Sequence, residues 1–231
     1  MSGSYKDQTN LASSDSFEPI GSLLKATLLH SGVEMTWYDE TNPVSTSLGD
    51  NYQGFGRVQL DTVLNYDNDA FELLVWGAVD ESTYPEKVLE FSNVGDTYNI
   101  FVTMSSTVNH DFKVTMAYAD PASVGDASLS NDIDLSVTYS GTTYYSVVTS
   151  SGPDSVNSVE QVVITNPSSP GAVITVTVSC SQLNDGPQEI GLVITGDIDS
   201  YSFTDLGFAI SPSSALVITM GFLSLLFTFF L

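Results

Sequence analysis

Residues 112–139, "FKVTMAYADPASVGDASLSNDIDLSVTY", place two strand-like runs, "FKVTMAY" and "IDLSVTY", on either side of a loop dense in Asp, Ser and Asn. β-branched and aromatic residues favour a pleated, half-buried backbone, and the polar cluster between the runs favours a turn. The same texture recurs outward in both directions: "FELLVWG" at 71–77, "YNIFVTM" at 98–104, "TTYYSVV" at 142–148, "VEQVVIT" at 159–165, "AVITVTVS" at 172–179 and "IGLVITG" at 190–196. Eight such runs, separated by Asn, Asp, Gly and Pro and with no helical period between them, predict a mainly β fold. The expected architecture is an antiparallel β-sandwich or jelly roll over residues 67–199.

Upstream the pattern differs. Residues 1–21 are polar and read as a loop, and "SLLKATLLHSG" at 22–32 has the apolar spacing of a short buried helix ending near Gly32. "DNYQGFGRVQLD" at 50–61 follows an irregular stretch. Its glycines do not make a dinucleotide loop: the third glycine of G-x-G-x-x-G would fall on Gln59, and no strand-like run precedes Gly54. "VQLDTVLN" at 58–65 fits either a short helix or a strand, and "NYDNDA" at 65–70 reads as a polar linker. The chain thus divides into a small α-containing part at 1–66, the β part at 67–199, and a linker with an apolar tail at 200–231.

The 231 residues include 28 acidic and five basic ones, a formal charge of -23, and 42% are hydrophobic, enough for a sizeable core. Such a charge repels phosphate backbones and anionic lipid surfaces, so nucleic acid is excluded as a partner. Cys180 is the single cysteine. It can form no intrachain disulfide and no cysteine-based zinc site, and in "VTVSC" it reads as a small apolar core residue. The opening "MSGSYKDQTN" lacks the apolar h-region of a secretory signal peptide. Residues 206–231 carry no charge, and the last 17, from Ala215, are almost wholly apolar. That tail fits either a single C-terminal transmembrane helix or the cleaved signal of a glycolipid anchor, and both readings put the protein on a membrane, at the cell surface or in the secretory pathway.

The ordered set "GSLLKATLLHSG", "NYQGFGRV", "NDIDLSV" and "VEQVVI" resembles the end of the catalytic domain of subtilisin-like serine proteases. In the subgroup that includes the oxidatively stable alkaline proteases, a C-terminal jelly-roll domain follows it. A family helix of the form "SLLKAALI" corresponds to 22–29, and a "QGWGRV" segment to 53–58, with Phe55 where tryptophan is common. The family's "NDLDL" matches Asn131, Asp132, Ile133, Asp134 and Leu135, and the resemblance spans about residues 16–198. It implies that residues 1–66 are the remnant of a subtilase α/β domain, and that the full-length protein is a serine-type endopeptidase acting on peptides or proteins. The partner it implies is an upstream catalytic domain. The "GTSMA" serine segment of the family's Asp, His, Ser triad is absent, so the resemblance implies no catalysis by this chain alone. His30 and His110 read as capping or surface histidines, and Arg57 as an ion pair across the seam between the two parts. The alternative is a noncatalytic, membrane-attached β-sandwich module binding protein or glycan.

The densest group of candidate ligands is Asp120, Asp126, Asn131, Asp132 and Asp134. In a strand, Asp132 and Asp134 share one face while Ile133 and Leu135 share the other. Such carboxylates suit calcium, the expected cofactor. The competing reading is that Asn131 and Asp132 hold the start of the strand by side-chain to backbone hydrogen bonds. Trp37, Trp76, Tyr144 and Tyr145 fit core packing better than an exposed glycan-binding surface.

Overall fold

The computed structural model describes residues 17–39, 42–44, 47–64, 71–79, 88–122, 129–149, 151–167 and 169–205. In chain order these form α1 (Gly21–His30), β1 (Gly32–Val33), β2 (Trp37–Asp39), β3 (Asn42–Val44), β4 (Arg57–Val58), β5 (Glu72–Trp76), β6 (Glu90–Phe91) and β7 (Thr97–Met104). There follow β8 (Phe112–Tyr118), β9 (Asn131–Tyr139), β10 (Thr142–Tyr144), β11 (Val159–Ile164), β12 (Val173–Leu183), β13 (Gln188–Gly196) and β14 (Ile198–Asp205). The fold is mainly β, with antiparallel sheets and one short α-helix among the described residues. The apolar tail and the "NYDNDA" linker lie outside the described residues, and within them no helix is long and apolar enough to cross a membrane.

One sheet runs in the order β10-β9-β12-β7-β14, the other β11-β8-β13-β5 with β6 beside β13. Their facing sides share one core, an arrangement consistent with a β-sandwich. Period-two patterning explains the first sheet. Tyr98, Ile100, Val102 and Met104 of β7, and Ile174, Val176, Val178 and Cys180 of β12, turn inward, while the threonines between them face out. Cys180 is a free, buried thiol in that core, as its sequence context predicts.

The second sheet is buried on both sides, which explains why its runs lack clean alternation. Leu74, Trp76, Val114, Met116, Leu192 and Ile194 enter the shared core. Leu73, Val75, Ala117 and Val193 point the other way and form a second cluster with Leu23 and Ala26 of α1. Helix α1 therefore lies on β8 and β13 as a third layer. The approach is very close: a Cβ on Gly191 would sit 2.3 Å from the Leu23 nitrogen and 2.4 Å from its Cα. Burying a leucine such as Leu23 stabilises by about 2 kcal/mol, so glycine at 191 is what lets the helix seat fully. Leu24 and Leu28, one turn apart, face outward and are 46% and 48% exposed.

The "GFGRV" segment is a turn into a strand. Gly54 and Gly56 have φ of +56° and +86°, and a Cβ on Gly56 would meet the Val33 carbonyl oxygen at 2.4 Å. Val58 then pairs with Gly32, and Arg57 with Val33, joining β4 to β1. "VQLDTVLN" divides between β4 and a 3₁₀ turn at Leu60–Thr62, in place of the single helix or strand expected.

His30 corrects its expected reading, being neither a cap nor at the surface. It is fully buried between α1 and the sheet, with Nδ1 2.9 Å from Thr115 Oγ1 and Nε2 2.8 Å from Thr195 Oγ1. The side-chain amide of Gln161 also donates to Thr115 Oγ1 at 2.9 Å, and Lys113 Nζ donates to the Gly32 carbonyl at 3.0 Å. Burial, then the Lys113 charge, holds the His30 pKa well below its ordinary 6.5, while burial pushes Lys113 down to about 8.

The unfolded chain's histidine takes up a proton below pH 6.5 where the buried ring does not, so protonation favours unfolding. Stability should fall by up to about 1.4 kcal/mol per pH unit below that point, and urea titrations of His30→Gln should lack this component. Gly191→Ala should cost about 3 kcal/mol by pushing α1 off the sheet, read from urea midpoints at pH 7.5.

Candidate functional site

The acidic residues around β9 divide into two groups. Asp120 and Asn131 are structural. Asp120 accepts the Ser130 and Asn131 backbone N–H groups at 2.9 and 2.8 Å, clasping the two ends of the loop before β9. Fully buried Asn131 donates to the Asp185 carbonyl at 2.7 Å and to Gln188 Oε1 at 2.9 Å. Its own oxygen accepts the Asn184 and Asp185 N–H groups at 2.9 and 3.0 Å. Asn131 thereby ties the start of β9 to the turn between β12 and β13, which is the hydrogen-bonding role anticipated for it. Asp126 lies outside the described residues.

Asp132 and Asp134 do share a face of β9, opposite Ile133 and Leu135, which enter the core. On β12, Ser181 donates its hydroxyl to Asp134 Oδ2. Asp132 Oδ1 and Asp134 Oδ1 are buried without a hydrogen-bond partner. Burial, then the neighbouring Asp134, Asp154 and Asp120 charges, lifts the Asp132 pKa to about 6. Burial likewise raises Asp134, with Ser181 opposing and Asp154 adding.

Two further acids belong here that sequence reading missed. Glu160 of β11 is fully buried, and neither of its carboxylate oxygens has a hydrogen-bond partner. It shares strand parity with Val162 and Ile164, both core residues, so it points into the space between the two sheets, where β11 of one passes β9 of the other. Burial and then the Asp134 charge push its pKa to about 9, the nearby Leu135 N–H partly opposes this, and Asp154 and Asp132 raise it further. Asp154, 1% exposed, holds the turn before β11: its Oδ1 accepts the Val156 and Asn157 N–H groups at 3.0 and 3.1 Å. The available signal was Glu160 itself, a charge at an inward position of "VEQVVI". Among the described residues, no three His, Cys, Asp or Glu side chains stand as a ready metal-holding group.

Other candidates resolve as structure. His110 Nδ1 lies 2.8 Å from Asp197 Oδ1, and Asp197 Oδ2 accepts the Asn109 and His110 N–H groups. Burial would raise Asp197, but those hydrogen bonds prevail and hold it below the ordinary carboxylate range. Among the described residues no hydroxyl or thiol is hydrogen-bonded to His110. Exposed Arg57 donates to Gln59 Oε1 at 2.6 Å, an uncharged acceptor in place of the expected ion pair. Trp76 is 2% exposed and stacks with Phe203, and Tyr144 packs partly buried against the core; the Trp37 side chain lies outside the described residues.

No protein-family model matches the chain, and no curated protein is similar to it.

Asn131→Ala strips buried backbone groups of their partner and should cost about 2–4 kcal/mol. Asp132→Asn removes a charge that burial opposes and should leave stability unchanged or higher at pH 7.5. Urea unfolding in divalent-free buffer checks both, and a loss at Asp132 matching that at Asn131 would contradict this division.

Proposed function

We propose that this chain is the C-terminal part of a subtilisin-like serine endopeptidase, with a jelly-roll companion domain and no catalytic activity of its own. The observation that carries the reading is the uncovered apolar face of α1. Leu23 and Ala26 are spent on the sheet, while Leu24 and Leu28 stand exposed. Val58 and Leu60, at 53% and 42% exposure, lie just past the helix C-terminus, where Gln59 N–H donates to the Ser31 carbonyl at 3.1 Å. Helix, glycine turn and this apolar stripe are the segment whose sequence resembles the close of a subtilase catalytic domain, and such a domain would cover the stripe. The two sheets suit the jelly roll of that subgroup, the apolar tail would anchor the protein to a membrane, and substrates would be peptides or proteins engaged by the catalytic domain.

A fluorophosphonate probe, which labels activated serines, should leave the isolated 231-residue chain unmodified. Antibody against the β-sheets should capture, from the cells that make the protein, a probe-labelled polypeptide larger than 24.8 kDa. A captured product of 24.8 kDa that does not label would overturn the peptidase reading and favour a noncatalytic binding module for protein or glycan.

A further inference from the structure

Apolar contacts hold the first two turns of α1 to the second sheet, and polar ones hold its last. Leu23 and Ala26 join Val75, Ala117 and Val193 in the smaller apolar cluster. His30, the last helical residue, is fully buried between the hydroxyls of Thr115 on β8 and Thr195 on β13. Thr115 Oγ1 accepts an N–H of Gln161, from β11, whose amide also donates to the Leu29 carbonyl at 3.3 Å. That bond leaves the Thr115 hydroxyl hydrogen for His30 Nδ1, so the network assigns the ring proton to Nε2, where it is donated to Thr195 Oγ1. A second proton would have to enter at Nδ1, the atom that accepts, and would break this bond. Among the described residues no carboxylate bonds to the ring to offset the charge. β11 presents Gln161 and β13 Thr195, both neutral, and β5 turns Leu73 and Val75 toward the helix. β8 presents Thr115 and Lys113, whose ammonium donates to the Gly32 carbonyl at 3.0 Å and repels a second cation. Asp111 pulls on Lys113, but its Oδ1 accepts the Asn166 N–H at 2.9 Å. Lys25, the other charged residue of α1, reaches Ser158 Oγ, and Arg57 of β4 reaches Gln59. The turn at 60–62 touches Ser31 through Thr62 and leaves Asp61 exposed.

We propose that His30 is an acid-sensitive latch whose protonation releases α1 from the second sheet while the two sheets stay packed. The geometry favours local opening over global unfolding. The core between the sheets draws side chains from β5, β7, β8, β9, β11, β12 and β13, whereas the only fully buried apolar residues of α1 are Leu23 and Ala26. A ten-residue helix off the sheet is marginal in water, and its histidine then takes a proton freely. Backbone bonds before the helix and at its start contain no titrating group and keep it tethered: Ile20 N–H donates to the Gly77 carbonyl and Val79 N–H to the Glu18 carbonyl, both at 2.9 Å. Acid acts the other way on the sheets. Burial, with the neighbouring acids, lifts Asp132 to about 6, so the folded protein takes up that proton more readily than the unfolded chain and gains stability as pH falls through 6. Release presents Leu23 and Ala26 beside the exposed Leu24 and Leu28, so acid turns a half-covered helix into one that is apolar and open on both faces. The inference does not rest on the peptidase reading.

The test is hydrogen–deuterium exchange of the full-length chain at pH 7.5 and 5.0, corrected for the intrinsic pH dependence of amide exchange. Amides of residues 24–30 should lose protection by about thirtyfold at pH 5.0, the factor set by one histidine of ordinary pKa 6.5 that takes its proton only when released. Amides of β7 and β12 should change by less than about threefold. His30→Gln should show no such acid loss in α1. Should that variant not hold α1 at pH 7.5, the wild-type histidine Cε1–H signals decide: the His30 signal of the closed form should keep its neutral position down to pH 5.0 while α1 loses protection. Equal loss in β7 and β12, full protection of α1 at pH 5.0, an unchanged acid loss in His30→Gln, or a His30 signal that titrates in place while α1 stays protected would each overturn the proposal.

Discussion

Twenty-eight carboxylates share five basic side chains in this protein, so ion pairing cannot neutralise its charge. Backbone amides take the place of the missing cations. Asp50 accepts N–H groups from Ser47, Tyr52 and Gln53; Asp96 from Ser92 and Asn93; Asp120 from Ser130 and Asn131; Asp154 from Val156 and Asn157; and Asp197 from Asn109 and His110. Each of these closes a turn or clasps a loop, and a charged acceptor bonds an amide about twice as strongly as a neutral one. The acidity that repels nucleic acid thus also fixes the connections between strands.

The seam between β9 and β11 is where that arrangement fails. Asp132, Asp134 and Glu160 lie on strands, away from the amides of a turn; Asp134 keeps the Ser181 hydroxyl and Glu160 only the nearby Leu135 N–H, and burial raises all three pKa values. Protonation relieves part of that charge, since burial and the neighbouring acids push Glu160 up to about 9 and Asp132 to about 6. The seam lies on the opposite side of the second sheet from α1, whose contacts are made through Leu23, Gly191 and His30. One sheet therefore separates the helix, with its exposed Leu24 and Leu28, from the buried acids.

Much of the fold was legible because the first sheet follows period-two patterning closely. Each of the eight β-rich runs contains a strand, though of "TTYYSVV" only Thr142–Tyr144 is one, and the α1 boundaries fall within two residues of the expected helix. β14 was missed since "IDSYSFTD" is mostly polar, bulges between Ile198 and Ser200, and has only one strand neighbour, β7. The buried role of His30 was hidden for a different reason: Thr115 and Thr195, which satisfy its ring, are 85 and 165 residues away in sequence. For the acidic residues, local density was a misleading guide. It grouped Asp120 and Asn131 with Asp132 and Asp134, whereas hydrogen bonding separates them and strand packing brings in Asp154 and Glu160 from beyond β10.

Urea unfolding of Asp120→Ala, Asp154→Ala and Asp197→Ala at pH 7.5 tests the account most directly, because each carboxylate accepts two backbone N–H groups that nothing else would then satisfy. The account predicts a loss of about 1.5–3 kcal/mol in each variant. Stabilities equal to that of the wild type would contradict it.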